Sequence, residues 1–168
     1  MSDIDWDAVY DEQTPRLYNF FRYRVGDGEL AQDLTAQTMM KAWQYRHSYR
    51  HDVGAFAAWL FRIARNLAID HLKRQRHTPL PLYNVAHHAS DISVEREVQK
   101  SLDASRLYCV IQTLPAREQE IIALKYGADM TNREIADLLD LSASNVGTIL
   151  SRTIQIIRAK WELDYVKE

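Results

Sequence analysis

The sequence predicts an all-α protein of two small helical domains joined by a flexible linker, and three observations carry that prediction. The 168 residues hold 5 glycines and 4 prolines, so the backbone has few natural breaks. Apolar side chains recur at steps of three and four along most of the chain. One central stretch, His77 to Asp91 (HTPLPLYNVAHHASD), loses that periodicity and contains Pro79 and Pro81, which block helix and favour extended chain. The expected division is 1–77 for a three-to-four-helix bundle, 78–92 for the linker and 93–168 for a helix-turn-helix domain.

The first helix is predicted from Trp6, Val9, Tyr10, Leu17, Phe20 and Phe21, which share one face. Pro15 should kink or restart it, and Gly26 should end it near Arg24. A second helix, predicted over 29–45, carries Leu30, Leu34, Met39, Ala42 and Trp43. After the polar, aromatic connector 46–52 comes a third, predicted over 53–76, with Phe56, Leu60, Ile63, Ala64 and Leu67 as its apolar stripe. Periodicity resumes near Ser93 with Val94, Val98, Leu102 and Cys109. Pro115 suits the first turn of the next helix, where no N–H is needed, and Gly127 should close it. Thr131-Asn132-Arg133-Glu134 is a capping-box pattern. Ser142 can cap a final helix, predicted over 143–160, that buries Val146, Ile149, Leu150, Thr153 and Ile157.

Composition excludes several classes. A hydrophobic content of 46% excludes wholesale disorder. The longest apolar run, Ala55 to Phe61, falls far short of the ~20 residues a bilayer requires, so no membrane insertion is expected. An acidic N-terminus and a lone cysteine, Cys109, fit a cytoplasmic protein in a reducing compartment. Charge is uneven: residues 1–45 carry eight acids and four bases, whereas residues 46–77 carry seven bases and two acids inside a chain of net charge −2. Such a local excess directs a field toward polyanions, although a solvated charged helix has the same composition.

Two arrangements point to nucleic acid. On the third helix Arg62, Arg65, Asn66, Asp70, Lys73 and Arg76 recur at three- and four-residue steps opposite the apolar stripe, a row able to follow a phosphate backbone. Tyr45, His47, Tyr49 and Trp59 interleave aromatic faces with these bases, which suits unstacked single strands. In the last two helices, a turn at Asp140-Leu141-Ser142 gives helix-turn-helix spacing, with Ala136 small enough for close helix approach. Ser144, Asn145, Thr148, Ser151, Arg152 and Gln155 would face outward, short hydrogen-bonding groups suited to base edges and phosphates. Enzymatic chemistry finds little support. His47 and His51 have ligand spacing and His87-His88 follows, but no HExxH pattern, glycine-rich phosphate loop or nucleophile elbow accompanies them. Neither catalytic residues nor a metal or cofactor is expected.

Two segments are similar to a known family. Asp33-Leu34-Thr35-Ala36-Gln37-Thr38-Met39-Met40-Lys41-Ala42-Trp43, followed by Ala58 to Arg74 (AWLFRIARNLAIDHLKR), resembles region 2 of extracytoplasmic-function (ECF) sigma factors. Leu114-Pro115-Ala116-Arg117-Glu118-Gln119-Glu120, with the helix pair after it, resembles region 4. The resemblance implies a promoter-specificity subunit of bacterial RNA polymerase core. Region 2 would dock on the β′ clamp coiled coil through Asp33, Gln37, Lys41 and Trp43. It would read a melted, single-stranded −10 element through Tyr49, Arg50, Arg62, Arg65, Asn66, Asp70 and Lys73. Region 4 would bind the β flap and read the −35 element as duplex through Arg133, Ser142, Ser144, Asn145, Thr148 and Arg152. Family members are often held by an anti-sigma factor. Two departures stand out: Ala36-Gln37-Thr38-Met39 replaces the usual Gln-Glu-Thr-Phe, and Gly147 and Ile149 occupy positions where a lysine and an arginine are common. The alternative is a helix-turn-helix regulator acting without polymerase core, which would need a dimer seam that the sequence does not display.

Overall fold

Helix starts in this chain are set by short polar side chains that accept orphan amides. Asp5 Oδ1 accepts from Ala8 N at 3.1 Å and Asp27 Oδ1 from Leu30 N at 2.9 Å. Ser142 Oγ accepts from Asn145 N at 3.0 Å. The predicted capping box is complete: Thr131 N donates to Glu134 Oε2 at 2.7 Å, and Glu134 N donates to Thr131 Oγ1 at 3.2 Å. That backbone donor holds the Glu134 carboxyl below its ordinary pKa. A computed structural model describes residues 4–52, 55–76 and 94–166. The elements are α1 (Trp6–Val25), α2 (Gly28–Gln44), a 3-10 turn (Arg46–Ser48), α3 (Phe56–Gln75), α4 (Val94–Gln112), α5 (Ala116–Ile122), a π-turn (Ala123–Gly127), α6 (Asn132–Leu139) and α7 (Ala143–Tyr165). Among the described residues there is no strand. The segment 78–92 read as a linker lies outside the described residues.

Two local expectations change. Helix α1 runs through Pro15 without a break, because packing at both ends offsets the one backbone hydrogen bond that proline deletes. Its Trp6 end stacks edge-on against Trp43, with ring centroids 5.2 Å apart, while Leu17, Phe20 and Phe21 are fully buried. Gly26 does end α1, in the left-handed conformation at φ 75°. Gly127 closes its turn for a different reason. Its φ lies outside the left-handed region, but a Cβ there would stand 2.8 Å from Asn19 O, Phe20 N and Phe20 Cα. Glycine is required because two backbones meet. At the helix-turn-helix corner, Asp140 takes the left-handed conformation at φ 56°.

The core is continuous across the expected domain boundary. Leu17, Phe20, Phe21, Leu60 and Phe61 from the N-terminal half and Ile111, Ile121, Ile122, Leu124, Ile135 and Val146 from the C-terminal half belong to one buried cluster. Helix α1 lies at its centre, touching α2, α3, α4, α5 and the π-turn, and α3 also reaches α6. Some apolar residues assigned to the core from periodicity lie outside: Tyr10, Trp43, Leu102 and Cys109 are exposed. On α2, Thr35 and Thr38 take up buried positions, their hydroxyls donating to Ala31 O and Leu34 O, each at 2.7 Å. A threonine that bonds its own preceding turn carries no unpaired polar atom into the core.

The packing sets a hierarchy of costs. Phe61 is completely buried against Phe20 and lies beneath the Arg16 guanidinium, so Phe61→Ala should lower unfolding free energy by ~3–5 kcal/mol. Thr131→Ala removes only a surface cap and should cost ~1 kcal/mol. Urea unfolding followed by helical circular dichroism measures both; equal losses would contradict this assignment of the core.

Candidate nucleic-acid interface

The amphipathic pattern of α3 turns Leu60, Ala64, Leu67 and Ala68 inward and leaves Arg62, Asn66, Asp70 and Lys73 exposed in one row. Arg65 leaves that row. Its Nε donates to Glu120 Oε1 at 2.6 Å and its Nη2 to Glu120 Oε2 at 3.4 Å, crossing from the N-terminal half to α5. Arg24 lies nearby, 3% exposed; its Nη1 donates to Gln119 Oε1 at 2.8 Å, and its Nε is buried with no partner. Burial lowers the Arg24 pKa, the Glu120 carboxylate opposes that shift, and the Arg65 charge reinforces it. Two guanidiniums therefore share one buried carboxylate.

The row's N-terminal end meets an aromatic wall. Tyr49 contacts His51, Phe56 and Trp59, with ring centroids 4.5, 5.3 and 5.5 Å away. Phe56 continues the wall to Trp6, and Trp6 to Trp43, whose face carries the Arg46 guanidinium at 4.2 Å. Tyr49 and Trp59 are half-buried, while Tyr45 and His47 are exposed. Arg50 forms a bidentate pair with Asp52, at 2.8 and 3.2 Å, and this holds the Asp52 carboxyl below its usual range. Trp6 and Phe56 were read as core residues and their part in the wall was missed. The density of aromatics on both sides of the connector was the available signal.

On α2, Asp33, Gln37 and Lys41 are exposed, and Trp43 is 49% exposed at the helix end. These four share the side of the protein away from the C-terminal half, since α2 packs on α1, α3 and the 3-10 turn. Beside them, Tyr10, Thr14 and Tyr18 of α1 and Ala36 and Met39 of α2 line a shallow groove flanked by exposed Met40. The groove was not read from the sequence because Tyr10 and Met39 fit the core periodicity.

In the helix-turn-helix unit, Val146, Leu150 and Thr153 pack inward, while Ser144, Asn145, Thr148 and Arg152 of α7 and Arg133 of α6 are exposed. Ser142 Oγ is engaged as the cap of α7, and Thr148 Oγ1 donates to Ser144 O at 3.1 Å. A Cβ on Gly147 would meet Asn132 Nδ2 at 3.6 Å, ordinary contact, so a side chain fits. Among the described residues no group of three His, Cys, Asp or Glu is placed to hold a metal ion, and no helix is long and apolar enough to cross a membrane.

Two family models match the chain, one in each half. The family model "Sigma-70 region 2" matches residues 9–78, and "Sigma-70, region 4" matches residues 104–156. The ECF RNA polymerase sigma factor BldN of Streptomyces coelicolor is 27% identical over 89% of this chain, which spans 57% of BldN's length. SigM of Bacillus subtilis, also an ECF RNA polymerase sigma factor, is 25% identical over 91% of this chain and 93% of its own. In fold, the chain resembles the sigma factor RpoE crystallised with the anti-sigma factor NepR from Bartonella quintana. That likeness has a TM-score of 0.71 at 19% identity and covers 95% of this chain and 98% of RpoE.

Gly147 generates a prediction about duplex binding. Gly147→Lys in the full chain adds a cation at a partly exposed position of α7, beside Asn132 of α6. The slope of log affinity against log salt should steepen by ~0.9 on cognate and scrambled duplexes alike. The helix should also gain up to ~1 kcal/mol of stability from loss of glycine. Fluorescence anisotropy across a salt series checks the first effect, and an unchanged slope would mean that α7 does not face phosphate.

Proposed function

The chain belongs to the sigma-70 family, among the ECF sigma factors, and from that premise we propose that it is an alternative sigma subunit. It binds RNA polymerase core, directs it to a particular set of promoters and assists melting at initiation. The observation that carries this reading is the occurrence of both regions in order in one chain, residues 9–78 and then 104–156. A regulator acting without polymerase would leave the region 2 match without a role.

Each surface then takes one task. Asp33, Gln37, Lys41 and Trp43 on the free side of α2 dock on the β′ clamp coiled coil. Gln37 replaces a carboxylate usual in relatives, so Asp33 carries the negative charge of this patch. The row Arg62, Asn66, Asp70 and Lys73, with Tyr49 and Arg50 at its entrance, takes the single-stranded −10 element. Cations follow the phosphates while the Tyr49–Phe56–Trp59 wall offers ring faces for unstacked bases. Arg65, counted in that row from the sequence, is instead paired with Glu120. Arg133, Ser142, Ser144, Asn145, Thr148 and Arg152 face the −35 duplex, and the β flap holds the module there. Tethering raises effective concentration, so weak contacts from an α7 with few cations suffice. The sigma factor works in the cytoplasm as a specificity subunit, with the catalytic chemistry left to the polymerase. An anti-sigma factor is a natural further partner, because the RpoE relative binds NepR.

Run-off transcription with core polymerase on a randomised promoter library should yield a defined consensus, and no promoter-specific product would refute the reading. Arg62→Ala together with Lys73→Ala should impair open-complex formation while core binding persists. Permanganate reactivity of −10 thymines is the readout, and unchanged reactivity in the double variant would reassign the row. Asp33→Arg should weaken binding to a β′ clamp fragment in a titration; equal affinity would move the docking surface elsewhere.

A further inference from the structure

We propose that the groove between α1 and α2 receives one helix of the β′ clamp coiled coil, presenting an apolar stripe bordered by cations. The proposal rests on the sigma reading and extends its docking surface from α2 onto α1. Tyr10, Thr14 and Tyr18 line one wall, and Ala36 and Met39 line the other. Thr35, also in the lining, is buried and asks for no polar partner, because its hydroxyl already donates to Ala31 O at 2.7 Å. Trp6 and Trp43, one turn beyond Tyr10 and Met39, meet edge-on and close one end. The walls run for about two helical turns, ~12 Å. Over that length a volume of about 430 Å³ gives a width of roughly 6 Å. That width admits a row of side chains from a helix laid over the opening but excludes the helix itself, ~10 Å in diameter.

Two residues that shape the groove are departures from the pattern of relatives. Ala36 stands in place of the usual glutamine and leaves the α2 wall low. Met39 stands in place of the usual phenylalanine, an unbranched side chain that adapts to what it meets. The same segment has lost the usual carboxylate at Gln37. Apolar contact in the groove therefore takes over from an ionic contact beside it. Tyr10 and Met40 flank the opening, 56% and 60% exposed, and supply apolar area for a partner to cover.

Charge selects the occupant. Asp7 and Asp11 precede Thr14 and Tyr18 at helical steps along α1, and Glu29 and Asp33 precede Gln37 along α2, so both edges of the groove are acidic. All four carboxylates are exposed, and none is paired with a cation among the described residues. Nucleic acid would be repelled by such a rim, and a second copy of this face would set acid against acid. An amphipathic helix with apolar anchors at i, i+3, i+4 and i+7 between basic flanks satisfies both the strip and its edges. Asp33 belongs to this rim and to the docking row alike, so a clamp helix seated in the groove lies directly against that row.

The test titrates labelled core polymerase with the full chain. Ala36→Gln fills the groove from an exposed helix position, and Tyr10→Ala removes its α1 wall. Each should lower core affinity about tenfold, as expected for losing one buried apolar side chain, with helical circular dichroism unchanged. Asp7→Lys combined with Asp11→Lys leaves the apolar walls intact and should weaken binding most at low salt. In the holoenzyme, Tyr10→p-benzoylphenylalanine should crosslink to β′ on illumination. Unchanged affinity in the Ala36 and Tyr10 variants, while Asp33→Arg still weakens binding, would overturn the groove and leave docking to α2 alone. A crosslink to a chain other than β′ would overturn it too; one to a second copy, with self-association that Ala36→Gln abolishes, would assign the groove to a dimer. Absence of core binding by the parent would refute the sigma reading itself, an outcome distinct from a loss confined to the groove variants.

Discussion

Everything in this structure leans on the approach of two backbones at Gly127 and Phe20. Helix α1 is packed on more than one side and buries Gln13 and Arg24 as well as Leu17, Phe20 and Phe21. It meets α2 and α3 as well as the π-turn and α5. A side chain at position 127 would hold the C-terminal half away from α1, and the buried cluster would divide into two. The extra residue per turn in the π-turn is what presents Gly127 and Ala128 to α1 together, with Ala128 O free to accept from Arg16. π-turns of this kind are enriched at functional sites, and here the feature lies where the N-terminal and C-terminal halves of the chain meet.

The polar part of the junction follows different rules from the apolar part. Arg65 and Glu120 are paired in good geometry, but taking both charges from water offsets most of the Coulomb gain. Arg24 makes the balance worse, since burial lowers its pKa and only Gln119 is within hydrogen-bond reach in the structure described. Apolar burial therefore supplies the adhesion, and the charges supply register. They align α3 with α5 and fix which arginine faces inward.

The candidate faces and the packed faces lie on different sides of the same helices. Helix α3 buries Leu60, Ala64 and Leu67 and exposes Arg62, Asn66, Asp70 and Lys73; α7 buries Val146, Leu150 and Thr153 and exposes Asn145, Thr148 and Arg152. The aromatic wall from Trp43 through Trp6 and Phe56 to Tyr49 and Trp59 connects α2 to the N-terminal end of the basic row. The end of α2 is thus linked by direct ring contacts to the connector and to the first turn of α3. The same wall explains why Trp6, at the first residue of α1, is not free to fray.

The sequence by itself determined the helices, their caps and the faces they show. Asp27, Thr131 and Ser142 were legible because a short acceptor before an apolar-periodic run has few other uses, and the exposed rows were legible because a 3.6-residue period sorts side chains onto faces. The order of the two family-like segments was equally plain, since motif recognition needs no geometry. What the tertiary structure decided depends on contacts remote in sequence. Periodicity counts Tyr10, Trp43 and Leu102 as core because it cannot see whether a partner covers them. Composition reads Arg65 as one more cation in a row, because Glu120, 55 residues away, becomes its partner only when the halves pack. Gly127 reads as a helix terminator, since its actual constraint is the backbone of Phe20, which no local pattern contains. A charged or small residue is read correctly in sequence only when its function lies within a helical turn of it; at a junction between two units, the partner is set by packing.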